Sequence, residues 1–306
     1  MVVKKILIQD IIDFLGDQLI DIYGDLSVGA YIDNIVDVER VNLTSLDWVN
    51  PSKSNKQQIA ESSKAQVLLV DKSIVYSDSL QADKKVLLVV SDPKVSLAYI
   101  GNHFFVPKSV PFISDKAEIS SEAKIGANVS IGAFSVIGNC VIGENTIIDS
   151  NVHIYDGVII GNNCRIKSGA VLGGEGFGFE KAKDGNLFRF PEIGGLVIGN
   201  YVEIGANTCI DRGALADTII GDYTKINNLC HIAHNNVIGK NVVITGAAEI
   251  SGSNIIEDDV WIAPNSSLRG WITVGKGATI GMGAAVVTNV PAGETWVGCP
   301  AKKLGK

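Results

Sequence analysis

The sequence predicts a mainly β fold, a parallel β-helix of six-residue repeats preceded by a small α/β domain. The first observation is an aliphatic residue at every sixth position through the stretch 220–286. These positions are Ile220, Ile226, Ile232, Ile238, Ile244, Ile250, Ile256, Ile262, Leu268, Val274, Ile280 and Val286. Neither the helix period of 3.6 nor the alternation of a strand produces such a run. One short strand and one turn per repeat does produce it, and three repeats close one triangular coil.

The second observation is that the same repeat occupies earlier parts of the chain, with interruptions. It starts at Ile119, continues past a one-residue slip after Ile137 to Leu172, and resumes from Ile198 to Ile210. A second slip falls on the run Asp-Arg-Gly-Ala-Leu at 211–215. The stretch 173–197 lacks the repeat and is rich in Gly and Phe, so we interpret it as an excursion loop. The repeats predict a β-helix over 111–296, of roughly ten coils, followed by a C-terminal tail at 297–306.

The third observation is that residues 1–110 do not show the repeat. The spacing of apolar residues from Ile8 to Ile20 predicts an amphipathic helix. Two apolar runs, at 65–70 and 85–90, are typical of buried strands. Asp92 followed by Pro93 indicates the start of a helix. These patterns predict a small α/β domain over 1–110.

Composition narrows the class of protein. Charged residues make up 19% of the 306 residues and hydrophobic residues 46%, which is typical of a soluble globular chain. The net charge of -7 offers no basic face for nucleic acid, and no apolar run could span a membrane. The N-terminus from Met1 to Ile6 lacks the apolar region of a signal peptide. The five cysteines form no CxxC pair, so we expect free, core-filling thiols in a reducing cytoplasm.

His234 is the first candidate for chemistry. It lies two residues after the inward Ile232, so its side chain should leave a corner of the coil. One coil is 18 residues, which places Gly252 and Gly270 on the coils stacked behind it. A base beside exposed backbone N–H donors is the smallest set of groups that can catalyse acyl transfer. The alternative, a solvated corner histidine with two turn glycines, stays equally open on spacing alone.

His231 should also face outward, because it precedes the inward Ile232. Together with His234 it suggests a metal pair, but two histidines are too few for zinc and no third ligand stands at an obvious place. We therefore predict no metal site. His231 is then a groove-lining residue or a neutral surface residue. Trp271 follows Gly270 near the same predicted groove, where it either lines the groove or packs between subunits.

Several motifs together resemble the UDP-3-O-(3-hydroxyacyl)glucosamine N-acyltransferases of lipid A, and hence lipopolysaccharide, biosynthesis. They are Gly-Phe-Gly-Phe at 176–179, Ile-Gly at 193–194, Val-Glu-Ile-Gly-Ala at 202–206, Ile-Asp-Arg-Gly-Ala-Leu at 210–215 and Ile-Ala-His-Asn at 232–235. The last two motifs at this spacing are the most specific. The resemblance covers nearly the whole chain. Through Asn50-Pro51 and the run at 65–70, residues 1–110 are similar to that family's uridine-binding domain.

The resemblance implies a left-handed β-helix, an exception to the usual right-handed crossover rule. It also implies a cytoplasmic homotrimer with active sites between the β-helices. An acyl group would pass from an acyl carrier protein thioester to a sugar amine, with no bound cofactor. His234 matches the family's catalytic base, and Gly252 matches its oxyanion donor.

The sequence departs from the family's pattern at the histidine. The family usually has an Asp seven residues before it, to orient and charge-stabilise the imidazole. Asn227 stands there, followed by Asn228, and we expect one of these amides to orient His234 or the sugar. The family often has a second histidine after the later groove glycine, where this chain has Trp271.

Further departures lie in the nucleotide motif and at the C-terminal end. Lys53 replaces the motif's Tyr, and Asp47 holds the place of an aromatic residue, with Trp48 beside it. Uracil stacking is therefore rebuilt or lost, and Asn50 and Trp48 are the candidate contacts. The family's C-terminal helical extension is missing from the sequence, and the ending at 297–302 is more similar to acetyltransferases that use coenzyme A.

The expected function is transfer of an acyl group, a 3-hydroxyacyl group by resemblance, from a thioester to the amine of a nucleotide-activated amino sugar. One alternative is a coenzyme A-dependent acetyl or short-chain acyltransferase that acts on a UDP- or dTDP-amino sugar for surface polysaccharide. Another is a non-catalytic β-helix that binds sugar nucleotides, which the Asn227 departure favours. The length of the acyl groove distinguishes the first two hypotheses.

Overall fold

The computed structural model describes residues 5–27, 31–107 and 110–304. The chain divides into two compact units, 1–109 and 110–306. Residues 1–4, which begin the segment expected to lack a signal peptide, lie outside the described residues. So do residues 305 and 306 at the end of the predicted tail.

The N-terminal unit is a small α/β fold. Its four-stranded sheet has the order Leu19–Tyr23, Val86–Val90, Val67–Val70, Leu46–Trp48, with only the first pair antiparallel. A separate antiparallel pair joins Ile6–Leu7 to Tyr31–Ile32. The α-helices are Ile8–Leu15, Lys56–Ser62, Asp78–Ala82 and Pro93–Ile100, with a 3-10 turn at Gly16–Gln18 and a π-type turn at Gly101–Phe105. Val67–Val70 and Val86–Val90 are fully buried, which confirms both apolar runs as strands.

The helix predicted from Ile8 to Ile20 is wrong in its second half. The helix ends at Leu15, where Gly16 takes a φ of 47°, and the chain continues as the strand Leu19–Tyr23. Pairing with Val86–Val90 outweighs the local helical spacing. The helix start at Asp92 is confirmed, because its carboxylate accepts hydrogen bonds from the backbone N–H groups of Lys94 and Val95.

The described residues 110–304 form the predicted left-handed parallel β-helix, with three sheet faces. The first face contains Glu118–Ile119, Val136–Ile137, His153–Ile154, Val171–Gly174, Cys209–Asp211, His231–Ile232, Glu249–Ile250, Ser267–Leu268 and Ala285–Val286. The second contains Lys124–Ile125, Val141–Ile142, Val158–Ile160, Leu196–Ile198, Thr218–Ile220, Val237–Ile238, Ile255–Ile256 and Thr273–Val274. The third contains Ser130–Ile131, Ile147–Ile148, Arg165–Ile166, Glu203–Ile204, Lys225–Ile226, Val243–Ile244, Trp261–Ile262, Thr279–Ile280, Thr295–Val297 and Lys302–Lys303.

The aliphatic residue of each repeat points into the prism, and this explains the six-residue period. Ile232 and Ile250 stack in register on the first face with no exposed surface. Turn positions take left-handed backbone, and many of them are Asn, as at Asn235 with a φ of 60°. All five cysteines are free, but only Cys140, Cys164 and Cys230 are buried. The prediction that every cysteine fills the core is wrong for Cys209 and Cys299.

Coil length changes most at the excursion and at the insertion 211–217. Ile232 pairs with Ile250 after 18 residues, whereas Ile210 pairs with Ile232 after 22, because the segment 211–217 adds residues to its coil. The excursion between Gly174 and Leu196 includes an antiparallel hairpin, Phe179–Lys181 with Leu187–Arg189, which the loop interpretation did not foresee. In the C-terminal tail, Lys302–Lys303 pairs antiparallel with Thr295–Val297. Within the described ranges, no helix is long and apolar enough to cross a membrane.

Candidate active site

The ring of His234 lies between two backbone segments that lack side chains. A methyl group built on Gly252, one coil further on, would lie 2.7 Å from Cε1 and 2.9 Å from Nε2 of His234. On the other side, a methyl group on Gly176 of the excursion would lie 3.0 Å from Cδ2 of His234. Contacts under 3.0 Å are essentially absent from real structures, so Gly252 must be glycine for the ring to occupy its place, and the contact at Gly176 is tight.

Asn235 fixes the protonation pattern of His234. Its Oδ1 lies 3.0 Å from His234 Nδ1 and also accepts the backbone N–H of Ala214, while its Nδ2 donates to Ala216 O. The backbone N–H of Asn235 donates to Thr218 Oγ1. Because Asn235 presents an acceptor, the neutral imidazole carries its proton on Nδ1. Nε2, beside Gly252, therefore holds a free lone pair, which a general base requires.

Gly252 presents an unused donor next to that lone pair. Its backbone N–H has no acceptor among the residues that the structure describes. Gly270 lies behind it, where a methyl group would approach Gly252 O to 2.8 Å. The N–H of Trp271 donates to Gly252 O at 3.2 Å, and its side chain is 84% exposed. The structure thus places the imidazole of His234 next to a free backbone N–H, one 18-residue coil further along the chain.

The excursion and the insertion at 211–217 form the walls of the site. Gly213 closes a tight turn, because a methyl group there would lie 1.5 Å from Ala216 O. The returning end of the excursion is held to this turn by N–H donation from Ile193 and Gly194 to Ala214 O. Its outgoing end is held by Arg212, whose Nε donates to Gly173 O. The insertion at 211–217 and the excursion therefore meet over His234.

These walls enclose a largely apolar groove of about 740 Å³ that contains His234. Its apolar lining includes Phe177, Phe179, Phe190, Leu215, Ile255 and Trp271. Trp271, which the sequence predicts either in the groove or between subunits, lines this groove. A channel of this character suits a hydrocarbon chain whose reacting end lies at the histidine.

His231 lies on the same face but belongs to a polar cluster. Its Nε2 is 3.1 Å from Asp211 Oδ2, and its Nδ1 is 2.9 Å from Glu249 Oε1. Hydrogen bonding to Asp211, with a further contribution from Glu249, raises the pKa of His231 to about 9 despite its partial burial. The interpretation of His231 as a neutral surface residue is therefore wrong. It lines a second groove of about 1040 Å³, with Arg212 and Tyr155.

Asn227 and Asn228 do not contact His234 within one chain, so the prediction that one of them orients the histidine is wrong there. Asn227 Oδ1 accepts from the N–H of Asn228 at 2.7 Å, and Asn228 Oδ1 accepts from the N–H of Ala206 at 2.8 Å. Both lie at the opposite end of strand His231–Ile232 and hold turns of the coil. The residue beside His234 Nδ1 is Asn235.

The candidate nucleotide residues lie in the N-terminal unit and are not brought together. Trp48 is partly buried against the core and lines a groove of about 550 Å³ with Ile35, Lys94 and Asn102. Asn50 does not line that groove, and its Oδ1 accepts from the N–H of Ser52 in a local turn.

Sequence reasoning missed two residues of the site. Asn235 was part of the Ile-Ala-His-Asn motif, and its place beside the histidine could have been inferred from the need of an imidazole for an orienting acceptor. Glu192 is buried near His234, and nothing in the local sequence signals this. Across the described ranges, no three His, Cys, Asp or Glu side chains are arranged to hold a metal ion.

Comparisons with known proteins agree with this architecture. The family model "Bacterial transferase hexapeptide (six repeats)" matches residues 139–174 and 255–287. The solved UDP-N-acetylglucosamine acyltransferase of Francisella novicida superposes with a TM-score of 0.58 at 29% identity, over 63% of this chain and 70% of that chain. The Bacteroides fragilis enzyme of the same name gives 0.58 at 31% identity, over 63% and 74%. The fold and the site therefore define a hexapeptide-repeat protein of the acyltransferase class.

Curated relatives narrow the class further. UDP-3-O-acylglucosamine N-acyltransferase 1 of Francisella tularensis subsp. holarctica (strain OSU18) is 41% identical over 264 residues, 79% of this chain and 76% of that protein. UDP-3-O-acylglucosamine N-acyltransferase of Caulobacter sp. (strain K31) is 43% identical over 146 residues, 48% of this chain and 43% of that protein. The chain belongs to the family of UDP-3-O-acylglucosamine N-acyltransferases, as the sequence predicts. The match spans less than half the length of the Caulobacter relative.

Proposed function

We propose that this protein is an N-acyltransferase that moves a 3-hydroxyacyl group from a thioester to the amine of a UDP-linked amino sugar. The observation that carries the proposal is the base His234, with Nε2 free, facing the unused N–H of Gly252 at one side of an apolar groove. The names of the relatives support the sugar nucleotide and the acyl acceptor.

The mechanism follows from the geometry of these groups. The amine nitrogen attacks the thioester carbonyl carbon, and His234 Nε2 takes the amine proton as the new C–N bond forms. The N–H of Gly252 donates to the oxyanion of the tetrahedral intermediate. When the intermediate collapses, the C–S bond breaks and the thiolate takes the proton from the imidazolium. A positioned base and an oxyanion donor of this kind each accelerate a reaction by about a hundredfold to a thousandfold.

The apolar groove favours a long acyl donor over the short-chain alternative. Three phenylalanines, Phe177, Phe179 and Phe190, extend its lining beyond the histidine along the excursion. An acetyl group would leave this surface unoccupied. The donor we propose is therefore a long 3-hydroxyacyl thioester on acyl carrier protein, with coenzyme A as the alternative carrier.

The assembly and the nucleotide site complete the proposal. One edge of the β-helix, between its third and first faces, exposes Phe134, Leu229 and Met282, each more than 60% accessible. Exposed apolar side chains spaced along one edge suit a subunit interface, here that of a cytoplasmic homotrimer. In the N-terminal unit, the groove beside Trp48 is the candidate site for the uracil base, and Asn50, which lies outside that groove, is given no part in it.

A donor and acceptor panel read by mass spectrometry tests the proposal. The donors are 3-hydroxyacyl carrier protein, 3-hydroxyacyl coenzyme A and acetyl coenzyme A. The acceptors are UDP-3-O-acylglucosamine and several UDP- or dTDP-amino sugars. We expect turnover with the carrier-protein donor and UDP-3-O-acylglucosamine. Turnover only with acetyl coenzyme A and another amino sugar would establish the short-chain alternative instead, and no turnover with any pair would favour a binding protein.

A further inference from the structure

Glu192 is a buried carboxyl group without a hydrogen-bond partner. The residue is 8% exposed, and neither Oε1 nor Oε2 has a partner within the described part of the chain. Buried polar groups in folded proteins are nearly always paired, because an unpaired one forfeits its hydration. The acyl transfer steps above give Glu192 no part. Its position therefore needs another explanation.

Glu192 lies close to the catalytic histidine, separated from it by one glycine. A methyl group on Gly176 would lie 3.0 Å from His234 Cδ2 and 3.3 Å from Glu192 Oε1. The separation of Cδ2 and Oε1 therefore cannot exceed the sum of these two distances. Gly178 likewise passes over Oε1, at 3.1 Å from its methyl position. Both His234 and Glu192 line the apolar groove. Two glycines thus let the excursion cover the carboxyl and hold it beside the ring.

His234 becomes a cation when it takes the proton of the amine, inside a largely apolar groove. Its Nδ1 partner, Asn235, is a neutral amide. No carboxylate is hydrogen-bonded to His234 among the described residues. An opposite charge within a few ångströms favours formation of the imidazolium.

The charged groups that face Glu192 act on the pKa of its carboxyl in both directions. Burial raises the pKa of its carboxyl, and Asp211 and Glu175 act in the same direction, whereas His234 and Arg189 act to lower it. The positive charge of His234 and the negative charge of Glu192 therefore stabilise each other.

We propose that Glu192 is a positioning residue that supplies the counter-charge to His234 as the imidazolium forms. The proton passes from the amine to Nε2 of His234, and Glu192 stays ionised and gains no proton. The catalytic role of Glu192 rests on the proposed function. The interaction between Glu192 and His234 is measurable without any substrate.

The first test is the pKa of His234 by NMR titration of histidine-labelled protein. The chain has only four histidines, and a His234→Asn sample assigns the signal of interest. We expect the titration midpoint of His234 in Glu192→Gln to lie measurably below that of the wild type. Glu175→Gln is the matched control, because it removes the same charge from an exposed position of the same excursion and should shift the pKa of His234 much less. An unchanged pKa of His234 in Glu192→Gln would overturn the inference.

The second test is the pH dependence of kcat/KM with the substrate pair that the panel identifies. Glu192→Gln should lower kcat and move the acidic limb to lower pH, a shift that a purely structural residue would not cause. Because no protein hydrogen bond is removed, we expect the variant to fold, and Glu192→Met provides a second uncharged side chain if it does not. A lowered pKa of His234 without any acyl transfer by the wild type would refute the proposed function alone. Normal acyl transfer with an unmoved acidic limb would refute the role of Glu192 alone.

Discussion

His234 Nδ1 lies 3.0 Å from Oδ1 of Asn235, the residue that follows it in the chain. A histidine and its orienting group are therefore neighbours across a single turn in left-handed backbone. The amide also binds Ala214 N and Ala216 O, so the inserted segment 211–217 and the histidine are positioned by the same side chain. This relationship links the two most specific motifs of the sequence in space.

The first prediction concerns Asn235→Ala. The change removes the acceptor that holds the proton of His234 on Nδ1, and we expect kcat to fall about tenfold to a hundredfold. It also leaves the N–H of Ala214 unpaired, at a cost of about 1–3 kcal/mol in the free energy of unfolding. Steady-state kinetics and urea denaturation measure the two effects. Thr218→Val is the control, since it removes a bond to the backbone of Asn235 only and should lower stability while kcat stays near the wild-type value.

The second prediction concerns Gly252→Ala. The added methyl group would overlap His234 Cε1, so the ring must move away from the position of the attacking amine. A displacement of about 1 Å is expected to lower kcat/KM about a hundredfold. Gly246→Ala offers a matched comparison, because its nearest neighbour, Asn228 O, is at 3.6 Å, an ordinary contact. Equal activity losses in the two variants would argue against a role for the histidine's position.

The third prediction concerns the length of the acyl chain. Ile255 lines the apolar groove, and Ile255→Trp should shorten it. We expect the preference for long over short acyl donors to fall about tenfold or more, measured as the ratio of kcat/KM values. Ile219→Trp is the control, because Ile219 lies outward on the same face but outside the groove lining. If Ile255→Trp leaves this preference unchanged, the acyl chain does not bind in this groove.

The fourth prediction concerns pH and stability. The carboxylates of Asp211 and Glu249 raise the pKa of His231 to about 9, so the folded protein binds a proton that the unfolded chain releases near pH 6.5. The stabilisation is complete below about pH 6.5 and is lost as the pH rises towards 9. Urea denaturation across this range should show a decline in the wild type that is smaller in His231→Gln. Parallel curves for the two proteins would show that the cluster carries no proton linkage.

Much of the fold could be predicted from sequence because one residue in six must fill the prism. Ile232 and Ile250 are inward, and Gly252 stacks on His234, because every coil in this region has the same length. The helix prediction from Ile8 to Ile20 failed where strand pairing with Val86–Val90 outweighed local spacing. The spacing of apolar residues within a segment does not show which distant strand that segment pairs with.

The site was only partly predictable, since its walls come from the interruptions. The insertion at 211–217 brings Asp211 to His231, 20 residues apart rather than 18, so a fixed coil length does not reveal this pair. Glu192 reaches His234 through the path of the excursion, which no period encodes. The resemblance predicts that Asn227 or Asn228 orients His234 or the sugar, whereas the amide of Asn227 holds a turn at the other end of the strand.

The most direct measurement is the single-turnover rate of acyl transfer by His234→Gln beside that of the wild type, with the donor and acceptor identified by the panel. Glutamine keeps a polar side chain of similar size but cannot take the amine proton. We predict a fall of about a hundredfold to ten-thousandfold with the fold intact. A rate within about threefold of the wild type, outside the range that loss of a general base produces, would contradict the assignment of His234 as the catalytic base.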